Sequence, residues 1–114
     1  MINHKDKEWV YYKDIEGSSA GPGVVRRVLS YCDNLMCVEN SFETGAEGPI
    51  HTHPHTQISY VVKGRFKYII GDVAHEVSAG DTMCKQNEVK HGCVCLEKGM
   101  ILDIFTPMRE DFVK

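Results

Sequence analysis

The sequence predicts an all-β fold, a single-domain jelly-roll β-barrel, and three observations carry that expectation. From Val24 to Phe105 the apolar residues come in short runs rich in Val, Ile, Tyr and Phe. Gly, Asp, Asn or Pro interrupts these runs every several residues, which is the punctuation of strands. Few gaps leave room for a helix. Many short strands with glycine-rich turns favour a sandwich or barrel, and in a chain of 114 residues closure into a small barrel protects the sheet edges. That length also fits one domain with one core.

The elements follow in order along the chain. Residues 1–22 are polar and end in the run EGSSAGPG, which reads as an N-terminal extension, a flexible lead-in that crosses the barrel or docks on a neighbouring subunit. Residues 23–106 form the barrel core, with strands expected over 24–30, 35–43, 57–63, 65–70, 73–77, 81–85, 91–97 and 100–105. Lys63-Gly64 joins two β-rich runs with almost nothing between them, and Ile70-Gly71-Asp72-Val73 repeats the device, so both read as hairpins. Residues 107–114 are a C-terminal tail.

Charge and composition exclude several classes of function. Thirteen Lys and Arg against sixteen Asp and Glu give a net charge of −3, with no basic block to neutralise a row of phosphates, so nucleic acid is not an expected partner. No apolar run approaches the ~20 residues that cross a bilayer, so no membrane is expected either. Met1 to Tyr12 lacks the unbroken apolar core of a secretory leader. The five cysteines are an odd number without a paired C-x-x-C arrangement, which fits reduced thiols and a cytoplasmic location.

His51, His53 and His55 fall within five positions and lead straight into a strand. If the backbone stays extended through Pro54, alternation turns His51, His53 and Gln57 to one side. His91 opens a later strand and faces them from across the barrel. Three imidazoles and an amide oxygen make a four-ligand set for one divalent transition metal per chain, Zn, Ni, Mn or Fe, with positions left open for a substrate. The alternative is that His-x-His is two polar residues on an exposed face. His55 is expected to stay off the ion, Cys93 and Cys95 to line the barrel as small apolar groups, and His4 and His75 to lie on the surface.

A neutral Gln among the ligands leaves a divalent ion with a local charge of about +2, which attracts anions and favours Lewis-acid over dioxygen chemistry. A small anionic substrate follows. Ile101, Asp103 and Phe105 alternate with Leu102 and Ile104, which turns Asp103 into the barrel. There it is either a general acid or base, or a partner that orients a metal-ligating histidine. Phe105 is either core or a platform. Arg109 either forks onto a substrate carboxylate or pairs with Glu110 or Asp111. Arg26 and Arg27 point to opposite faces, so one of them lines the cavity. No nucleophile and base pair for covalent catalysis is present.

Gly45, five residues, His51-Thr52-His53, three residues, Gln57, six residues and Gly64 resemble the first cupin motif, in which Glu usually stands at the place of Gln57. Gly80, five residues, Gln86 and then His91 resemble the second, with Gln86, Glu88 and Cys95 replacing its Pro, turn Gly and Asn. Within the cupins the chain resembles the small single-domain KdgF type, pectin-degradation proteins that open the ring of unsaturated uronates. The resemblance rests on His51 to Val61, on Asp103 to Phe112 and on the Gly-Val-Val-Arg-Arg strand at Val24. It implies a metal held by His51, His53, Gln57 and His91, and a requirement for Asp103, Phe105 and Arg109 in activity. The implied reaction converts a 4,5-unsaturated monouronate to the linear 4-deoxy-5-keto acid. The rival expectations are a cupin that binds or senses a small acid without turnover, and a metal-dependent dioxygenase. Aromatic surface around Trp9, Tyr11 and Tyr12, together with the habit of similar cupins to pair through a sheet face, implies a homodimer.

Overall fold

The computed structural model describes residues 2–114. It is built from strands β1 (Ser18–Ser19), β2 (Val24–Cys32), β3 (Leu35–Phe42), β4 (Glu47–His51), β5 (Thr56–Ile70), β6 (Val73–Ser78), β7 (Thr82–Lys85) and β8 (His91–Thr106). Helical structure among the described residues is limited to the single 3-10 turns Tyr12–Asp14 and Glu110–Phe112. The sheet runs β1-β2-β3-β8-β5-β6, with β4 added to β8 and β7 to β5, and every pair is antiparallel. No helix of the described residues is long and apolar enough to cross a membrane.

Lys63-Gly64 is not a hairpin. The chain continues through it as one strand, and the runs expected over 91–97 and 100–105 are likewise a single strand, so β5 and β8 pair along most of their length. The cause lies at their middles, where the register shifts between Lys63↔Met100 and Arg65↔Glu97. Gly64 adopts φ +86, and a Cβ there would lie 2.6 Å from the Glu97 carbonyl oxygen. A Cβ on Gly99 would lie 2.2 Å from the Lys63 carbonyl oxygen. These glycines serve a bend and a close backbone approach, two demands that share a sequence signature with a turn. Gly71 does turn a hairpin, joining β5 to β6 at Ile70↔Val73.

Two short strands lay hidden in glycine-rich sequence. β4 pairs with the first part of β8, and β1 pairs Ser18 with Arg26 and Ser19 with Val25. Upstream, the Asp6 amide donates to the Tyr31 carbonyl at 2.9 Å, and Lys5 pairs with Asp33. His4 is not merely a surface residue. It is half-buried edge-on to Tyr31, with Nε2 3.0 and 2.9 Å from the carbonyls of Val28 and Leu29. The polar lead-in thus covers the outer edge of β2, where unpaired backbone groups invite aggregation.

The buried apolar residues form two groups, one around Val61, Phe66 and Ile101, the other around Met36, Val38 and Phe105. Along β8, Asp103 stands between Ile101 of the first and Phe105 of the second, and all three are buried while Leu102 and Ile104 are half exposed. The barrel thus carries a polar layer between two apolar ones.

Gly99→Ala is expected to cost about 1–3 kcal/mol, because the added methyl meets backbone that cannot swing aside. Urea denaturation checks this, and an unchanged midpoint contradicts the crossing described here.

Candidate metal centre

Strand pairing sets His51, the last residue of β4, directly opposite His91, the first of β8, with their rings 4.5 Å apart. The chain does not stay extended through Pro54. Residues 52–55 leave the sheet, since proline has no N–H to give a ladder, and β5 begins only at Thr56. This irregular stretch nevertheless brings the His53 ring to 5.4 Å from that of His51 and 5.0 Å from that of His91. One donor atom of each imidazole lies within 4.8 Å of the others. Gln57, near the start of β5, places Oε1 2.9 Å from His53 Nε2.

In the turn before His91, Asn87 and Glu88 adopt φ of 59 and 56, the left-handed region that usually favours glycine. The Thr52 hydroxyl donates to the Glu88 carbonyl and ties this turn to the segment carrying His51 and His53.

These donors fit a divalent transition ion. Nδ1 of His51 is 2.8 Å from the Pro49 carbonyl and Nδ1 of His91 is 3.0 Å from that of Val89, so each ring gives its proton outward and keeps the Nε2 lone pair for the cluster. His91 Nε2 is buried without a partner. Burial pulls the His91 pKa down to about 4, and burial followed by the Arg109 charge lowers that of His53, so both rings are neutral ligands near pH 7. His53 Nε2 and Gln57 Oε1 lie 2.9 Å apart in a hydrogen bond, close enough that one divalent ion would be held by both. His51 is exposed at the mouth, while His53, Gln57 and His91 are buried. His55 takes no part in the cluster. Its Nε2 lies 3.1 Å from the Met108 carbonyl and its ring packs on His53 and Phe105.

Behind the donors lies a hydrogen-bonded chain. The Gln57 amide donates to Asp103 Oδ1 at 2.9 Å and to the Ser59 hydroxyl at 3.1 Å, which turns its carbonyl toward the imidazoles. Ser59 donates to the same carboxylate oxygen, and Asn40 donates to Asp103 Oδ2 at 2.8 Å. The partners of Asp103 are therefore Gln57, Ser59 and Asn40, and not a histidine. Lys85, 1% exposed, donates to Ser59 and, at 2.9 Å, to the Tyr68 hydroxyl, and burial brings its pKa down to about 8. A glutamate at 57 would set a second carboxylate against Asp103 where Gln now donates a hydrogen bond.

Asn40, Ser59, Tyr68 and Lys85 escaped the sequence reading, although a signal existed. Ser59 occupies a buried slot of β5 between Gln57 and Val61, and Lys85 one of β7 after Met83. A polar residue in the inward register of an otherwise apolar strand is the mark to look for.

A cavity of about 380 Å³ opens over the cluster, walled by Arg26, Asn40, Asp103, Phe105, Arg109 and Phe112 among others. Arg26 is thus the inward member of its pair, while Arg27 lies 3.7 Å from Glu39 and over the Tyr12 ring. Arg109 forks onto Asp111, with bonds of 3.1 and 2.9 Å, and lies over the rings of Phe105 and Phe112. Phe105 serves as both core and wall, 2% exposed and edge-on to His53. Cys93 lines the cavity as a small apolar group, its thiol pushed up to about 12 by burial, and Cys95 is buried in the core. His75 is exposed.

Comparison with known proteins agrees with this geometry. Residues 39–105 match the Cupin domain family. The chain belongs to the cupins. This cupin is 41% identical over 96 residues to the pectin degradation protein KdgF of Dickeya dadantii strain 3937, covering 82% of the chain and 86% of that relative. It superposes on an RmlC-like cupin from Shewanella frigidimarina NCIMB 400 with a TM-score of 0.92 and 37% identity, over 97% of this chain and 100% of the other. KdgF from Halomonas sp. matches with a TM-score of 0.88 and 30% identity, over 93% of this cupin and 98% of that protein.

Because His91 is neutral and hard to protonate when folded, the unfolded chain binds its proton first as the pH falls. In the metal-free cupin the stability contributed by this residue is complete above about pH 6.5 and is lost progressively toward about pH 4. Melting temperature against pH in the presence of a chelator is expected to fall through that window, and less steeply in His91→Gln. Parallel curves for the two proteins contradict the assignment.

Proposed function

We propose that this cupin is a metal-dependent cytoplasmic enzyme that opens 4,5-unsaturated monouronates to linear 4-deoxy-5-keto uronates. The observation that carries this reading is a donor cluster bonded through Gln57 to a buried carboxylate, inside a cavity that also holds two guanidinium groups. The similarity to the two KdgF proteins supports it.

A divalent ion on His51, His53, Gln57 and His91 would supply a Lewis acid for oxygens of the substrate. The reaction is an isomerisation without change of oxidation state. The anomeric hydroxyl loses a proton, the bond between C1 and the ring oxygen breaks, and C4 gains a proton, leaving an aldehyde at C1 and a ketone at C5. Asp103 is the group for both proton transfers. A carboxylate offers about four acceptor positions, and Asn40, Gln57 and Ser59 engage three at Asp103, which leaves one for the substrate hydroxyl. Phe105 gives the sugar ring a flat wall, and Arg109, paired with Asp111, borders the cavity beside it.

The same reading includes a homodimer. Trp9, Tyr11 and Tyr12 are 71, 60 and 53% exposed, and Ile58 and Tyr60 add apolar surface on the outer face of β5. Light scattering at micromolar concentration is expected to give the mass of two chains, and a monomer contradicts the pairing.

Asp103→Asn is expected to lower turnover by about 100-fold or more, with metal content and substrate binding retained. Loss of the absorbance of the conjugated double bond in an unsaturated uronate measures it. A wild-type protein that binds the acid without consuming it returns the reading to a binding cupin, and oxygen uptake with iron bound returns it to a dioxygenase.

A further inference from the structure

The chain has four arginines, and three of them already hold a carboxylate: Arg27 that of Glu39, Arg65 those of Glu76 and Glu97, and Arg109 that of Asp111. Arg26 has no carboxylate within 4 Å among the described residues, and its Nε is buried without a hydrogen-bond partner. Its guanidinium lies 3.8 Å over the Phe112 ring, a stacking that supports the plane and leaves the in-plane N–H edge free. Asp111, the nearest acid of the C-terminal turn, is committed to both Nε and Nη2 of Arg109. A guanidinium drawn partly out of water without an anion is costly, and Arg26 lines the same cavity as His51, His91 and Asp103.

We propose that Arg26 is the carboxylate seat of the cavity and the residue that selects a sugar acid over a neutral sugar. The role expected of Arg109 from the tail motif passes to it because Asp111 already occupies the Nε and Nη2 edge of Arg109. Arg109 and Phe112 then act as supports, Phe112 bearing both guanidinium groups on its ring. The ligand class is a monocarboxylate whose ring lies over the donor cluster while its acid group reaches β2. Bidentate pairing with the free edge of Arg26 sets the orientation of the ring, and a neutral analogue forfeits that pairing.

The substrate named here rests on the ring-opening reading, and the test separates the two. The catalytic efficiency of the wild-type holoenzyme is compared for an unsaturated monouronate and for its methyl ester, alongside Arg26→Gln and Arg26→Lys. The preference for acid over ester is expected to fall by about 10-fold or more in Arg26→Gln, the range of a charge-assisted hydrogen bond, and by less in Arg26→Lys. A ratio within each protein cancels general damage from the substitution, and an unchanged ratio in Arg26→Gln overturns the proposal. If the wild type turns over neither compound, the ring-opening reading fails. Calorimetric binding of galacturonate and of its methyl ester to the same three proteins then decides the seat by the same ratio. A wild-type protein with no preference for the acid in either assay also overturns it.

Discussion

Everything in this barrel depends on the antiparallel pairing of β5 with β8 and on the two glycines that let their backbones meet. Their ladder sets Gln57 opposite Phe105 and Ser59 opposite Asp103 and, beyond the register shifts at its middle, Ile70 opposite His91. β8 in turn pairs with β4 at His51. A slip of one residue would turn the inward side chains outward. It would thus dismantle the core and scatter the donors together, so stability and site geometry are properties of the same ladder.

The polar layer is tolerable because nearly every group in it has a partner. Asp103 accepts from three donors, Ser59 accepts from Gln57 and Lys85 while donating to Asp103, and Lys85 also reaches Tyr68. A buried lysine or carboxylate alone would be strongly destabilising, whereas joined through a hydroxyl they form a fixed frame. The frame holds the Gln57 amide in one orientation, carbonyl toward the histidines. Among the buried atoms left unpaired, His91 Nε2, Arg26 Nε and Asn40 Oδ1 belong to residues that line the cavity.

Strand periodicity made the all-β architecture legible, and the histidine cluster stood out because no other segment concentrates imidazoles. The convergence of His51, His53 and Gln57 was expected on the right residues through a wrong path, since an extended chain through Pro54 was assumed where the structure has a loop tied down by Thr52 and Glu88. Gly64 and Gly99 misled because a turn and a tight crossing ask the same thing of a residue, the absence of a Cβ. The choice of Arg26 over Arg27 was beyond reach for another reason. Adjacent arginines on one strand are alike in sequence, and only the three-dimensional arrangement shows that Arg27 has an anion and Arg26 does not.

Buried Lys85 has a consequence for how this cupin would hold an ion. Its ammonium offsets the charge of Asp103 through Ser59, and Asp111 is taken up by Arg109, which leaves Glu47 as the acid of the cavity wall without a cation partner among the described residues. A divalent ion held there would find only Glu47 free to offset it, and a small anion bound beside it would by linkage gain as much affinity from the ion as the ion gains from the anion. The tightness of such an ion would then depend on the anions dissolved around the protein as well as on the side chains that would hold it.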